Sequence, residues 1–452
     1  MEQNEDIIIA EATPPGAAAI SVIRLSGKNS IEKADTVFRG RVKLADSPSH
    51  TLHYGKILND NAETIDDVLV SVFREPNSYT GEDSVEISTH GNPLITSSII
   101  GLFLNKDVRI AEPGEFTKRA FLNGRIDLAQ AEAVIELINS RSEAAVRGSR
   151  NQLDGLLSQK IDDLRQKLIN SVSLVELELD FAEEELEFID NTTIINLIKT
   201  IQSEIDALLS TYRFGRVFRE GVNVALVGLP NVGKSSLLNH ILKERRAIVS
   251  AIPGTTRDII REDVTIDGVL YRLYDTAGIR DTYDVIELEG VERSRDAVRN
   301  ADLVLFINET AHPFDVNLYE ELKELISEER IIKVINKSDL AGKVGVIPES
   351  VRVSALTGEG FDNLFDILKT RAYGGENYTE KSILVSSLRH KSLLERATEQ
   401  LTNARLSAEQ KMSGEFISVD IRNAINSLGE IIGVVTTDDI LNNIFMKFCI
   451  GK

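Results

Sequence analysis

The chain has one cysteine, Cys449, among 452 residues. No internal disulfide framework can form, and a reducing cytoplasm is the expected compartment. No apolar run reaches the roughly 18 residues that a helix needs to cross a bilayer, so no membrane passage is expected. Positive charge is in deficit, with 51 Lys and Arg against 71 Asp and Glu and a formal net charge of −20. Such a chain does not adhere diffusely to nucleic acid, so any RNA contact must be local or carried by a partner. The small basic groups Lys118, Arg119 and Arg125, then Arg213, Arg216 and Arg219, then Arg389, His390 and Lys391 read as solvated faces or helix-end charges. The opening MEQNEDIIIAEATPPG has neither the basic start nor the long apolar core of a secretory signal. No fixed-period repeat or low-complexity tract is evident.

What is present is strongest at Gly228 to Ser236, GLPNVGKSS. The stretch follows the apolar run Val222 to Val227 and precedes Leu237, Leu238, Ile241 and Leu242 at helical spacing. Strand, glycine-rich loop and helix in that order form a phosphate cradle: backbone N–H groups curl around the anion and the helix start adds partial positive charge. Lys234 supplies a full charge, and the Ser235 hydroxyl is placed to hold Mg²⁺. Three further apolar runs end in Asp275-Thr276-Ala277-Gly278, Asn336-Lys337-Ser338-Asp339 and Ser354-Ala355. Asp275 is placed to act on the metal through water, and the Gly278 amide to meet the terminal phosphate. A carboxylate at Asp339 accepts from both the ring N–H and the amino group of guanine, whereas adenine offers neither donor there. The expected nucleotide is therefore GTP or GDP.

One residue is missing from this set. Ras-like GTPases place a Gln directly after DTAG to orient the attacking water; here the position is Ile279. Water must be organised by another group, and the acids that follow are Asp281, Asp284, Glu287, Glu289 and Glu292. Arg257 and Arg280 read as ordinary ion-pair residues. The loop from Ser250 to Asp258 is the expected switch, with Thr256 closing over Mg²⁺ when the terminal phosphate is present.

Texture along the chain gives the organisation. Residues 1–118 read as α+β, with strands at Ile7 to Ala10, Ala18 to Leu25, Asp66 to Phe73 and Ser84 to Thr89. Long-helix stripes follow in 119–215, at Leu128, Ala131, Ile135 and Ile138 and at Ile201, Ile205 and Leu208. They return in 380–452, at Leu394, Ala397, Leu401 and Ala404 and at Ile417, Ile421, Ile425 and Leu428. The acidic run Asp180 to Asp190 reads as a solvated helix face. Between the helical stretches, 216–379 alternates strands and helices, with a hairpin turn at Asp267-Gly268. The expected fold is multidomain α/β and all-α: an N-terminal α+β domain, a discontinuous helical domain, and an inserted Ras-like P-loop GTPase domain.

The segments ATPPGAAAISVIRLSG, NSYTGEDSVEI, HGNP, PGEFTKRAFLNGRIDLAQAEAV, IPGTTRD, DTAGIR, NKSD and FCIGK, with the phosphate loop, resemble the bacterial and organellar tRNA modification GTPase family known as MnmE or TrmE. The resemblance implies a cytoplasmic homodimer whose first domain binds a tetrahydrofolate derivative, 5-formyl or 5,10-methylene. It implies a flavin-containing (FAD) partner of the MnmG type, in a heterotetramer, and tRNA as substrate. The product carries an aminomethyl or carboxymethylaminomethyl group on the wobble uridine. Folate contacts would fall on Arg24, Glu86, Arg125 and Lys452; Arg125 stands where some relatives have Lys, which keeps the charge and changes the geometry. A potassium ion would be held by Asn231, Ser250, Ile252 and Thr255, in the place of an arginine finger. Ser250 stands where relatives often have Thr.

The same resemblance makes Glu287 the water-orienting acid, beside Lys234 and Thr256 as catalytic groups. Nucleotide contacts are expected from Asn231, Val232, Gly233, Lys234, Ser235 and Ser236; from Ser250, Thr255 and Thr256; from Asp275, Thr276, Ala277 and Gly278; and from Asn336, Lys337, Asp339, Ser354, Ala355 and Leu356. Magnesium falls to Ser235 and Thr256. Cys449 matches the family's tail cysteine. Two other readings stand beside this one: a ribosome-assembly switch without modification chemistry, and a folate enzyme for which GTP is only regulatory. The first ordinarily carries a basic RNA-binding module, and none is evident here.

Overall fold

The computed structural model describes residues 6–180, 191–245, 261–275, 295–340, 347–374 and 383–452. They form two compact units, Met1–Ile135 with Leu428–Lys452, and Glu136–Ser427. The acidic run after Asp180 lies outside the described residues.

The first unit is built on a seven-stranded sheet in the order β3-β4-β5-β6-β2-β1-β7. Its strands are β1 Ile7–Glu11, β2 Ile20–Ser26, β3 Phe38–Gly40, β4 Thr51–Leu58, β5 Thr64–Phe73, β6 Ser84–His90 and β7 Val108–Ile110. All neighbours pair antiparallel except β1 with β7. The four strands expected from sequence are β1, β2, β5 and β6. Alternation explains them: Val68, Val70 and Val72 of β5 point one way and are buried with Ile23, Leu25, Val85 and Ile87. Helices Ser30–Val37 and Pro93–Leu104 close this core through Ile31, Ala34, Ile99 and Phe103.

Arg119 departs from the solvated face expected of it. Its side chain is buried and pairs with Asp6 (2.7 Å), Glu115 (3.0 Å) and Glu82 (3.2 Å). A buried cation is tolerated at this position of helix Glu115–Leu122 because three carboxylates compensate its lost hydration.

The chain's end belongs to the same unit. Phe445 and Phe448 pack with Leu128, Ala131, Leu441 and Ile444. Gly114 N–H donates to the Cys449 carbonyl at 3.5 Å. Gly451, at φ +97°, lies so close to β1 that an added Cβ would stand 2.2 Å from the Glu11 carbonyl.

The second unit holds a six-stranded sheet in the order β13-β12-β11-β8-β10-β9. The strands are β8 Val222–Val227, β9 Arg261–Ile266, β10 Val269–Asp275, β11 Leu303–Glu309, β12 Ile331–Asn336 and β13 Ser350–Arg352. All pairings are parallel except β9 with β10. Asp267 (φ 49°) and Gly268 (φ 80°) form the tight turn expected between those two. Phosphate loop, Asp275 and Asn336 therefore all sit at strand C-termini, where an open parallel sheet binds ligands.

Helices Asn191–Ser210 and Leu388–Glu409 pack through their predicted stripes, with Ile201, Ile205, Leu394, Ala397, Leu401 and Ala404 all fully buried. Ile138 ends exposed, because its stripe gives out in the last turn of Leu128–Asn139. The chain enters the α/β part through helix Tyr212–Glu220 and leaves it near Val385. Val385 N–H donates to Thr211 Oγ1 at 3.0 Å, and an added Cβ on Gly215 would stand 2.4 Å from the Val385 carbonyl. Entry and exit are thus pinned side by side. No helix among the described residues is long and apolar enough to cross a membrane.

Candidate functional site

The phosphate loop connects β8 to helix Lys234–Arg245. Asn231 (φ 67°) and Gly233 (φ 92°) turn the backbone back on itself. At Gly233 no side chain fits, since an added Cβ would stand 2.3 Å from Asn336 Nδ2. Lys234 Nζ donates to the carbonyls of Gly228 (2.7 Å) and Leu229 (3.0 Å), which spans its ammonium across the loop. Burial pushes its pKa down, with Asp275 opposing, so an arriving anion would restabilise the charge. Val232 is buried in the core and holds the loop down, leaving only its backbone for a ligand. Asn231, Ser235 and Ser236 are exposed.

The loop after β12 is braced against the phosphate loop. Asn336, almost fully buried, donates through Nδ2 to the carbonyls of Val232 (3.0 Å) and Gly233 (3.4 Å), while its Oδ1 accepts from Ala355 N–H (3.1 Å). Lys337 Nζ donates to the Asn231 carbonyl at 2.9 Å and to Glu309 Oε2. Asp339 Oδ1 accepts from Ser354 Oγ at 2.5 Å. That bond fixes the carboxylate beside the Ser354-Ala355 turn, while Leu356 stands exposed.

Ser235 Oγ donates to Asp275 Oδ2 at 3.3 Å, and Asp275 Oδ1 is buried with no hydrogen-bond partner among the described residues. A hydroxyl and an unsatisfied carboxylate oxygen side by side suit a hard dication held through oxygen, so the residues present fit Mg²⁺. Ser250, Ile252, Thr255, Thr256, Thr276, Ala277, Gly278 and Glu287 lie outside the described residues, as does Ile279. Of the four groups expected around potassium, only Asn231 is therefore described.

In the first unit, Arg24 of β2 and Glu86 of β6 are register partners and pair at 2.8 Å. The Arg24 guanidinium lies over the rings of Tyr79 (5.2 Å) and Phe116 (5.6 Å), and Tyr79 Oη bonds Thr117 Oγ1 at 2.9 Å. Arg125 runs past Gly81, its Cγ 3.1 Å from where a Cβ would sit. Lys452 is half-buried and follows Gly451, which packs on Glu11 and Ala12. A carboxylate, a guanidinium and the partly exposed ring of Tyr79 stand together here, while Phe116 is fully buried beneath Arg24; the set offers donors, an acceptor and one aromatic face. Cys449 is an exposed thiol in this unit.

Family profiles match at 7–125, described as the GTP-binding protein TrmE N-terminus, and at 128–449, described as the MnmE helical domain. Proteins called tRNA modification GTPase MnmE match end to end. That of Alkaliphilus oremlandii (strain OhILAs) is 42% identical over 461 residues, covering 99% of each chain. That of Aquifex aeolicus (strain VF5) is 43% identical over 453 residues, covering 98% of this chain and 99% of the other. The chain belongs to the MnmE family of tRNA modification GTPases.

Within this MnmE-family chain, four contributors escaped sequence reasoning. Thr310 Oγ1 donates to the carbonyls of Asn336 and Lys337, at 3.0 Å each, and Glu309 accepts from Lys337. Tyr79 and Phe116 flank Arg24. Glu309 and Thr310 carried one usable signal: they end the apolar strand next to the base loop, where ligand-side residues accumulate. Tyr79, in the segment before β6, and Phe116, in helix Glu115–Leu122, meet Arg24 only through the fold, so no local pattern marked them.

Proposed function

We propose that this chain hydrolyses GTP and, with a flavin-containing MnmG-type partner in a heterotetramer, modifies C5 of the wobble uridine of certain tRNAs. The group added is aminomethyl or carboxymethylaminomethyl, its one-carbon unit drawn from a 5-formyl or 5,10-methylene tetrahydrofolate. The observation that carries this reading is the end-to-end likeness to MnmE proteins in a chain whose phosphate and base loops are physically braced together. The working form is a cytoplasmic homodimer. Its parts are the N-terminal domain 1–118, the helical halves 119–215 and 380–452, and the GTPase domain 216–379.

The phosphate-loop and base-loop roles are assigned from residue chemistry, and the potassium, water-orienting and folate roles from the family resemblance. The backbone N–H groups from Asn231 to Ser236 and the Lys234 ammonium take the phosphates. Asp339 accepts from the guanine edge, and Ser354 keeps that carboxylate in place. Thr276, Ala277, Gly278, Thr255 and Ser250 complete the contacts around the terminal phosphate, with Ala355 and Leu356 along the base. Ser235, Thr256 and, through water, Asp275 would hold magnesium, which neutralises phosphate charge when bound. A potassium ion on Asn231, Ser250, Ile252 and Thr255 would add positive charge at the transition state. By the family resemblance Glu287 orients the attacking water, a task for which Ile279 has no suitable group. In the first domain Glu86 and Arg24 present the acceptor and donors for the pterin, and Arg125 and Lys452 supply cations for the folate's carboxylates.

The deciding experiment is mass spectrometry of tRNA nucleosides from cells with and without the protein. Loss of the carboxymethylaminomethyl and aminomethyl wobble uridines is the expected result, and an unchanged nucleoside profile rejects the reading. GTP turnover compared in potassium and in sodium tests the cation; equal rates remove it.

A further inference from the structure

We propose that Glu309, at the end of β11, is a positioning residue for guanine recognition: its carboxylate holds the Lys337 ammonium where that side chain ties the base loop to the phosphate loop. Glu309 is the register partner of Asn336, so its side chain emerges beside the first residue of the base loop. It is 9% exposed, and Lys337 Nζ donates to its Oε2 and, at 2.9 Å, to the Asn231 carbonyl. The other carboxylate oxygen faces His312 Nδ1. The hydrogen bond from Lys337 holds the Glu309 carboxyl below the usual carboxylate range, so it stands as an anion.

Lys337 has φ +60°, a left-handed conformation that a residue with a side chain rarely adopts. Thr310 holds this backbone, donating from Oγ1 to the carbonyls of Asn336 and Lys337. Backbone and side chain of Lys337 are thus fastened by two consecutive residues of one strand end. Between Asp339, which on the guanine-loop reading meets the base, and Asn231, which shapes the phosphate loop, Lys337 is the link, and Glu309 sets where it points.

This inference rests on reading residues 336–339 as the guanine loop, and the experiment separates the two. GDP affinity is measured by titration for the full chain, Glu309→Gln, Lys337→Met and the double variant, with thermal unfolding as a folding control. Glu309→Gln is expected to weaken GDP about tenfold, the loss of one charge-assisted hydrogen bond. In the Lys337→Met background the same change is expected to cost less than about twofold, because its partner is already gone. Equal losses in both backgrounds overturn the positioning role. If Lys337→Met binds too weakly to titrate, turnover decides: a raised KM for GTP at unchanged kcat supports the role, and a fall in kcat at unchanged KM overturns it. Failure of the unsubstituted chain to bind GDP at all refutes the guanine-loop reading itself.

Discussion

Replacing Asn336 with Ala tests whether the two nucleotide loops are one structure. The side chain is 1% exposed and makes three hydrogen bonds, two from Nδ2 to the carbonyls of Val232 and Gly233 and one to Oδ1 from Ala355 N–H. Alanine removes all of them and fills none of the space. A neutral hydrogen bond contributes about 1 kcal/mol net, and a buried donor left unmet costs about 1–3 kcal/mol. The 3.4 Å bond is the weakest and only part-buried, so the Gly233 carbonyl can recover water. The loss then comes mainly from Val232 and Ala355 and totals about 3 kcal/mol, or roughly a hundredfold in GDP affinity. Asn336→Asp discriminates further, since it keeps an acceptor for Ala355 but turns a second oxygen onto two carbonyls. It is expected to bind GDP more weakly than Asn336→Ala does. The assay is equilibrium titration with a fluorescent GDP analogue, alongside thermal unfolding without nucleotide. An Asn336→Ala protein within twofold of the unsubstituted affinity would refute the brace.

The remaining predictions probe other residues. Asp339→Asn should shift preference from GTP toward xanthosine triphosphate, because an amide nitrogen donates where the carboxylate accepted; competition binding checks this, and unchanged GTP affinity contradicts it. Gly451→Ala should lift the tail from β1, since its Cβ meets the Glu11 carbonyl at 2.2 Å and its φ is +97°. Destabilisation of about 1–3 kcal/mol is expected, seen as a lower thermal midpoint and faster carboxypeptidase trimming. His90 should titrate above its ordinary value, held up by its hydrogen bond to Asp66 at 2.7 Å. A raised folded-state pKa adds stability that is fully present below the ordinary histidine value and is lost as pH rises through the folded value. NMR titration of the His90 ring should show the shift, and Asp66→Asn should abolish it.

How much of this was legible in the sequence depends on whether the signal is local. The phosphate loop, the turn at Asp267-Gly268 and the buried strands of the parallel sheet could be read because each depends on neighbours in the chain: glycine where the backbone bends left, apolar runs where both faces are covered. β4 could not, because TLHYGKIL carries Leu52 and Tyr54 on its exposed face and so loses the alternation that marks a half-buried strand. Arg119 misled for a related reason. Its compensating acids Asp6 and Glu82 are distant in sequence and meet only when β1 and the loop before β6 come together, so charge alone read as solvent exposure. The nucleotide site divides the same way. On the proposed reading NKSD names the base through one carboxylate, and what holds that carboxylate and its loop is long-range: Ser354 on Asp339, Asn336 on Val232, Lys337 on Asn231, Glu309 on Lys337. Motif residues name the ligand, and contacts between motifs set how tightly it is held. Substitutions at Glu309 or Thr310, outside every motif, should therefore shift nucleotide affinity in graded steps, whereas substitutions at Lys234 or Asp339 should remove binding or change its specificity.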